Sequence, residues 1–71
     1  MNREKVIQII ELYINIGFNG IVVKLKDNNK IVIDVDKNEI IFRIEFMEIN
    51  NINNEMLNAK ISYDLIEEIT L

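Results

Sequence analysis

The spacing of apolar and polar side chains changes once along this chain, near Gly17, and that change limits the fold more than any other feature. Before Gly17, polar residues recur at intervals of four and three, which is the spacing of one face of an α-helix. They are Glu4, Gln8, Glu11 and Asn15. After Gly17, apolar and polar residues alternate, as they do along half-buried β-strands. The pattern predicts one N-terminal helix followed by an antiparallel sheet.

The helix is predicted over residues 2–16. Asn2 can cap it, because an asparagine side chain accepts a hydrogen bond from a free N–H of the first turn, and Gly17 can end it. The apolar arc is broad, since Ile7, Leu12 and Ile14 widen it on both sides. Two interpretations remain open: the helix lies flat on the sheet, or its flanks also pack against a second subunit.

Four strands are predicted after the helix, the first three as a meander with one apolar face. The inward residues are Ile21, Val23 and Leu25, then Ile31, Ile33 and Val35, then Ile40, Phe42, Ile44 and Phe46. Opposed residues of antiparallel strands must share a face, and a three-residue loop at 27–29 with an even turn at 36–39 satisfies that condition. Residues 48–55 are predicted as an exposed loop and residues 56–62 as the fourth strand.

The last residues, 64–71, allow two structures. Asp64 followed by Glu67 can cap a short helix, or a single turn can lead into a short strand, EITL. The predicted fold is therefore α+β, a single small domain of residues 1–71. Its N-terminal helix packs on a four- to five-stranded antiparallel meander, which can curl into a small barrel.

The order of a helix followed by bent antiparallel strands resembles that of Sm-like and SH3-like small barrels. The segment KISYDLIEEITL is similar to their ending, in which a turn leads into the last strand. The resemblance covers only the order of elements, because the chain has two glycines, Gly17 and Gly20, and lacks those that let barrel strands bend sharply. It implies a small barrel, and no binding residue is transferred from those families.

Composition excludes several kinds of chemistry. The chain has no cysteine, which removes thiolate nucleophiles, cysteine-rich zinc sites and thiol redox chemistry, and no histidine, the usual general base near neutral pH. Two pairs of carboxylates remain, Asp34 with Asp36 and Glu67 with Glu68, and solvated surface charge explains them. We therefore predict no catalytic residue and no cofactor, and expect that the protein is not an enzyme.

Residues 34–45, DVDKNEIIFRIE, match part of an EF-hand calcium loop, with alternating acidic and amide groups and Glu45 at the twelfth position. However, Glu39 stands where that loop needs glycine for its sharp turn. In the predicted hairpin Asp34 faces Ile41, and Glu45 lies roughly 13 Å further along the strand. We interpret the pattern as the polar face of a hairpin with its turn, and predict no metal site.

Apolar residues also lie on the predicted outer face of the sheet. A sheet face exposed wholly to water would carry fewer of them. They are Val22, Val32, Ile41 and Met47. Either the terminal strand or another chain must cover them. A chain of 71 residues without a disulfide also has little to stabilise it alone. We therefore predict a non-catalytic protein-interaction module, a homodimer that binds or inhibits a protein partner in the manner of small phage or mobile-element regulators.

The alternative function is binding of RNA or a nucleotide through a local basic face of a small barrel. The candidate residues are Lys24, Lys26, Lys30 and Arg43. Acidic residues are interleaved with them, and the net charge of −4 opposes binding to phosphate backbones. Nucleic acid is therefore not the expected partner.

The sequence also suggests a location and an origin. No signal peptide is visible, and no run approaches the roughly 18 apolar residues of a membrane span, so a cytoplasmic location without membrane contact is expected. Isoleucine, asparagine and lysine are abundant, and their codons are AT-rich, which indicates a low-GC bacterial or phage genome.

Overall fold

The computed structural model describes all 71 residues, Met1–Leu71. Helix α1 is Arg3–Ile16, and the strands are β1 Gly20–Leu25, β2 Lys30–Asp34, β3 Asn38–Phe42, β4 Phe46–Asn51, β5 Asn58–Ser62 and β6 Ile66–Thr70. A one-turn 3₁₀ helix, Tyr63–Leu65, precedes β6. The strands form two antiparallel three-stranded sheets: sheet A has the order β2-β1-β6 and sheet B the order β3-β4-β5. The α+β prediction is confirmed, whereas a four- to five-stranded meander is only loosely matched and the sheets do not close into a barrel.

Local capping sets both ends of α1, as the sequence predicts. The Asn2 side-chain oxygen accepts a hydrogen bond from the Lys5 backbone N–H at 2.9 Å. Gly17 has φ +100°, a left-handed conformation that glycine adopts without strain, and its N–H donates to the Ile14 carbonyl at 3.0 Å. Val6 and Ile10 are fully buried, so the helix packs one narrow face on the core.

The turn after β2 carries the chain from sheet A into sheet B. The Asp34 carbonyl oxygen accepts hydrogen bonds from the Lys37 N–H at 3.2 Å and the Asn38 side-chain amide at 2.9 Å. The Asp34 carboxylate accepts a third from the Asp36 N–H at 3.0 Å. Such local bonds compete with the ladder of a sheet and end the strand. The predicted pairing of the second strand with the third is therefore wrong, and Asp34 does not face Ile41.

The predicted third strand is broken by a tight turn at residues 43–46. The Arg43 N–H donates to the Phe46 carbonyl at 3.0 Å, and Phe42 then lies opposite Met47. This turn reverses the alternation of side chains, so the predicted inward positions of Ile44 and Phe46 are wrong. Ile44 is 87% exposed at the turn, and Phe46 lies on the outer face of sheet B. Met47, predicted on the outer face, is fully buried.

The other predicted strands are confirmed in part. The first hairpin has the predicted faces but a register two residues away from the predicted one, since Ile31 lies opposite Val23 rather than Leu25. Strand β4 extends to Asn51, into the segment predicted as loop. The fourth predicted strand corresponds to β5, and the C-terminal segment takes the second of its two allowed structures, a single turn followed by a strand.

The core between the sheets and α1 is small and wholly apolar apart from one hydroxyl group. Its members are Val6, Ile10, Ile21, Val23, Ile33, Met47, Ile49, Ile61, Tyr63, Ile66 and Ile69. The Tyr63 hydroxyl donates to the Arg43 carbonyl oxygen at 2.7 Å, so the hairpin turn is tied to the 3₁₀ helix. No buried side-chain polar atom lacks a hydrogen-bond partner. Only 11 of 71 residues are buried, so few apolar contacts stabilise the monomer.

Candidate interaction surface

The predicted partner-binding residues do not lie together. Val22 and Val32 are directly opposite each other on the outer face of sheet A, where Val22 is half-buried and Val32 is 71% exposed. Ile41 is half-buried on the outer face of sheet B, beside Glu48. Met47 belongs to the core, so its predicted place on the outer surface is wrong, because the turn at 43–46 reverses the faces of β4. The structure brings together only Val22 and Val32.

The predicted basic face is also divided. Lys24 and Lys30 lie opposite each other on the outer face of sheet A, and Lys26 follows at the end of β1. The Lys24 ammonium is 3.9 Å from a Glu67 carboxylate oxygen. Arg43 lies instead on the hairpin turn of sheet B, away from the three lysines in the strand order. The predicted set of four basic residues therefore does not form one surface.

The outer face of sheet B neutralises its own charges. Its central cross-strand row is Ile41, Glu48 and Lys60, and the Arg43 guanidinium reaches Glu48 at 3.2 Å. The hydrogen bond from Arg43 is the main cause that holds the pKa of Glu48 below its ordinary value, helped by a hydrogen bond from Asn50 and the positive charges nearby. A lowered carboxyl pKa is typical of a structural ion pair and is the opposite of what a general acid requires.

The acidic stretch 34–45 forms two separate turns. The Asp34 carboxylate is used by the Asp36 N–H in the first turn, and Glu45 belongs to the turn between β3 and β4. Across the whole chain, no group of three or more acidic side chains gathers where it could hold an ion. The acidic residues of the EF-hand pattern therefore belong to two different turns, one at the end of β2 in sheet A and one between β3 and β4 in sheet B.

Among the surface depressions, the one with the most hydrophobic lining residues, six of eight, lies where the two sheets separate. We call it the mouth groove; it has a volume of about 240 Å³. Its lining residues are Ile31, Val32, Ile33, Asn38, Ile49, Leu57, Asn58 and Ala59. Edge strand β2 forms one side, and the start of edge strand β5 forms the other. A larger depression of about 430 Å³ is lined mainly by polar residues, among them Glu39 and Glu55.

Large apolar side chains are exposed at several places on the surface, including Val32 and Leu57 at the mouth groove and Leu12 and Ile16 on the helix. Those that are more than half exposed are Leu12, Ile16, Val32, Ile44, Ile52, Met56, Leu57, Leu65 and Leu71. Sequence reasoning identified Val32 and the helix flank but missed Ile52, Met56 and Leu57, which lie in or beside an asparagine-rich loop. The signal was present, since these three interrupt a stretch otherwise composed of polar residues. The exposed apolar surface is the most distinctive feature of the molecule.

Comparison of the chain with protein-family models, with curated proteins and with solved structures gave no match. Helix α1, at 14 residues, is too short to cross a membrane.

Proposed function

We propose that the chain is a non-catalytic protein-interaction module that forms a homodimer and binds a further protein partner. The observation that carries the proposal is the exposure of Val32 in the middle of an edge strand, next to the mouth groove and Leu57. Exposed apolar side chains beside a free strand edge are typical of surfaces that another chain covers.

The single chain is as compact as a folded monomer without any partner. Its accessible surface is 4877 Å², close to the roughly 4,600 Å² expected for a monomeric protein of this mass. A second chain would therefore dock on a finished subunit rather than complete its fold. Burial of an aliphatic side chain contributes roughly 1.5–3 kcal/mol, a substantial addition to a small domain of marginal stability.

The non-catalytic part of the proposal is supported by the side chains present. With histidine and cysteine absent, carboxylates would have to perform any acid–base chemistry. Glu48, whose pKa is lowered, sits in an ion pair on the outer face of sheet B. It lines none of the depressions of the surface.

Binding of RNA or a nucleotide is the less favoured function. Lys24, Lys26 and Lys30 could still contact phosphates, but Glu68 lies opposite Lys24 and Glu67 pairs with it. The net charge of −4 opposes the approach of a polyanion.

Sedimentation equilibrium over about 5 µM to 500 µM protein tests the proposed self-association. We expect the mass to rise from 8.4 kDa towards twice that value, and the melting temperature to rise with protein concentration. A mass of 8.4 kDa at every concentration would contradict the homodimer.

A further inference from the structure

Two of the four edge strands are covered by other parts of the chain. On β6, the Ile69 carbonyl accepts a hydrogen bond from the Tyr13 hydroxyl at 3.4 Å, and the Ile66 carbonyl accepts one from the Met1 nitrogen at 3.1 Å. On β3, the Phe42 carbonyl accepts one from the Arg3 guanidinium at 3.1 Å. Free N–H and C=O groups of an edge invite pairing with another chain, and these contacts reduce that tendency at β6 and β3.

The edge of β5 carries a charge at its centre. The bond from the Asn51 N–H to the Leu57 carbonyl fixes which residues of β5 bond to β4, and leaves the backbone groups of Asn58, Lys60 and Ser62 pointing to the free edge. A twofold pairing of β5 with itself would set Lys60 against Lys60 of the partner subunit. A central lysine is one of the ordinary protections of an edge strand.

The edge of β2 has no such protection. Bonds from the Leu25 N–H to the Asn29 carbonyl and from the Val35 N–H to the Asn19 carbonyl fix the alternation of the first hairpin. By that alternation Ile31 and Ile33 bond to β1, whereas Lys30, Val32 and Asp34 direct their backbone groups outward. The strand has no proline and no bulge, and its centre is apolar.

We propose that a second copy of this chain pairs with β2 in antiparallel orientation about a twofold axis at Val32. The two copies of sheet A then form one six-stranded sheet. The charges of the strand, KIVID, are complementary to themselves in this register, because Lys30 lies opposite Asp34 of the partner subunit and Val32 lies opposite Val32 of the partner subunit. The inference rests on the proposed function and specifies the surface through which self-association occurs.

The backbone can support this register. The outward N–H and C=O of Val32 can exchange two hydrogen bonds with Val32 of the partner subunit. The outward N–H of Asp34 can donate to the carbonyl of Lys30 of the partner subunit. The Asp34 carbonyl already accepts bonds from the Lys37 N–H and the Asn38 amide, so it adds none to the ladder.

Charge selects this register from its neighbours within β2. A twofold axis at Lys30 would place two lysines face to face, and one at Asp34 would place two aspartates face to face. An axis at Ile31 would leave Lys30 opposite Val32 of the partner subunit, with no ion pair. Only the axis at Val32 pairs opposite charges at both ends of the strand. In this register Ile31, whose side chain points inward, also lies opposite Ile33 of the partner subunit, beside the mouth groove.

Two opposite charge reversals test the register. Lys30→Asp sets aspartate against aspartate, and Asp34→Lys sets lysine against lysine, so each variant alone should dimerise at least about tenfold more weakly than the wild type. An equimolar mixture of the two variants restores both ion pairs, one with the wild-type arrangement of charges and one with the charges exchanged. It should form a 1:1 heterodimer with a Kd within about threefold of the wild-type value.

Asp34→Lys also removes the carboxylate that accepts the Asp36 N–H and could disturb the turn after β2. A further variant, Val32→Lys, leaves that turn unchanged. Val32→Lys changes a side chain that is already 71% exposed and places two lysines across the axis, and it should abolish the dimer. The matched control is Thr70→Lys, on the same outer face of sheet A but on β6, away from the free edge of β2. It should leave the Kd unchanged, which separates pairing through the edge from packing through the face.

Sedimentation equilibrium measures the dimer Kd of each variant, and circular dichroism shows whether each variant is folded. Weakened single variants, a restored mixture, and loss of the dimer in Val32→Lys but not in Thr70→Lys support the β2 pairing. If the wild type dimerises and Val32→Lys dimerises equally well, the interface lies elsewhere and only the β2 pairing is overturned. If the wild type stays monomeric, the proposed self-association fails as well.

Discussion

Met47 is the residue at which the observed fold and simple alternation give opposite expectations. Its side chain is fully buried, opposite Phe42 on one side and Ile61 on the other, although alternation along residues 40–47 would put it in solvent. Truncation of a buried methionine to alanine costs roughly 2–5 kcal/mol, because contacts are lost and a cavity remains. A domain of 71 residues is stabilised by only about 4–11 kcal/mol, so Met47→Ala should remove a large part of the total.

Urea unfolding followed by circular dichroism measures this loss through the midpoint and slope of the transition. The protein concentration must be fixed, since association raises apparent stability. Ile44→Ala is the matched control: the Ile44 side chain is 87% exposed at the turn, and its truncation should change the free energy of unfolding by less than about 0.5 kcal/mol. A large loss for Ile44→Ala with almost none for Met47→Ala would mean that the strand runs straight through residues 43–46, and the fold described above would be wrong.

Three further predictions concern stability and ligands. Tyr63→Phe removes the hydrogen bond to the Arg43 carbonyl and should lower the free energy of unfolding by about 1 kcal/mol in urea; an unchanged midpoint would mean that this bond does not hold the hairpin turn. Because the pKa of Glu48 is lowered in the folded protein, its contribution is present above the unfolded-state pKa and is lost as the pH falls through the folded-state pKa. Urea unfolding should therefore show Glu48→Gln less stable than the wild type at about pH 7, with the difference shrinking at about pH 3; a constant difference would contradict the ion pair with Arg43. Fluorescence anisotropy with single-stranded RNA should show no binding at physiological salt, and micromolar binding that is lost in the double variant Lys24→Glu with Lys26→Glu would favour the alternative function.

The helix could be predicted from sequence because its determinants are local. Asn2 and Gly17 act through hydrogen bonds to residues at most four positions away, and both caps are found in the structure. The faces of the first hairpin were also predictable, since every second residue of β1 and β2 on the inward side is apolar and no turn falls within either strand. The exact register was not, because Asn28 rather than Asn29 takes the left-handed conformation in the loop.

The division into two sheets could not be predicted, because the turns that create it carry weak or misleading signals. Residues 43–46, RIEF, contain no glycine, proline, asparagine or aspartate, and the apolar Ile44 and Phe46 continue the alternation through the turn. The place of Val32 on the outer face was predictable, because Val32 alternates with the inward residues Ile31 and Ile33. That its strand has a free edge depends on the strand order of sheet A, which alternation does not specify.

Hydrogen exchange at the amide of Val32 tests the proposed dimer directly, since that N–H has no partner in the ladder of the monomer and gains one in the pairing of β2. Exchange measured by NMR on the labelled chain should slow at least about tenfold between dilute and concentrated protein, once about nine-tenths of the chains are dimeric. The amide of Lys60, on the other uncovered edge, serves as the internal control and should exchange equally fast at both concentrations. Fast exchange at Val32 in a sample that sediments as a dimer would contradict pairing through β2.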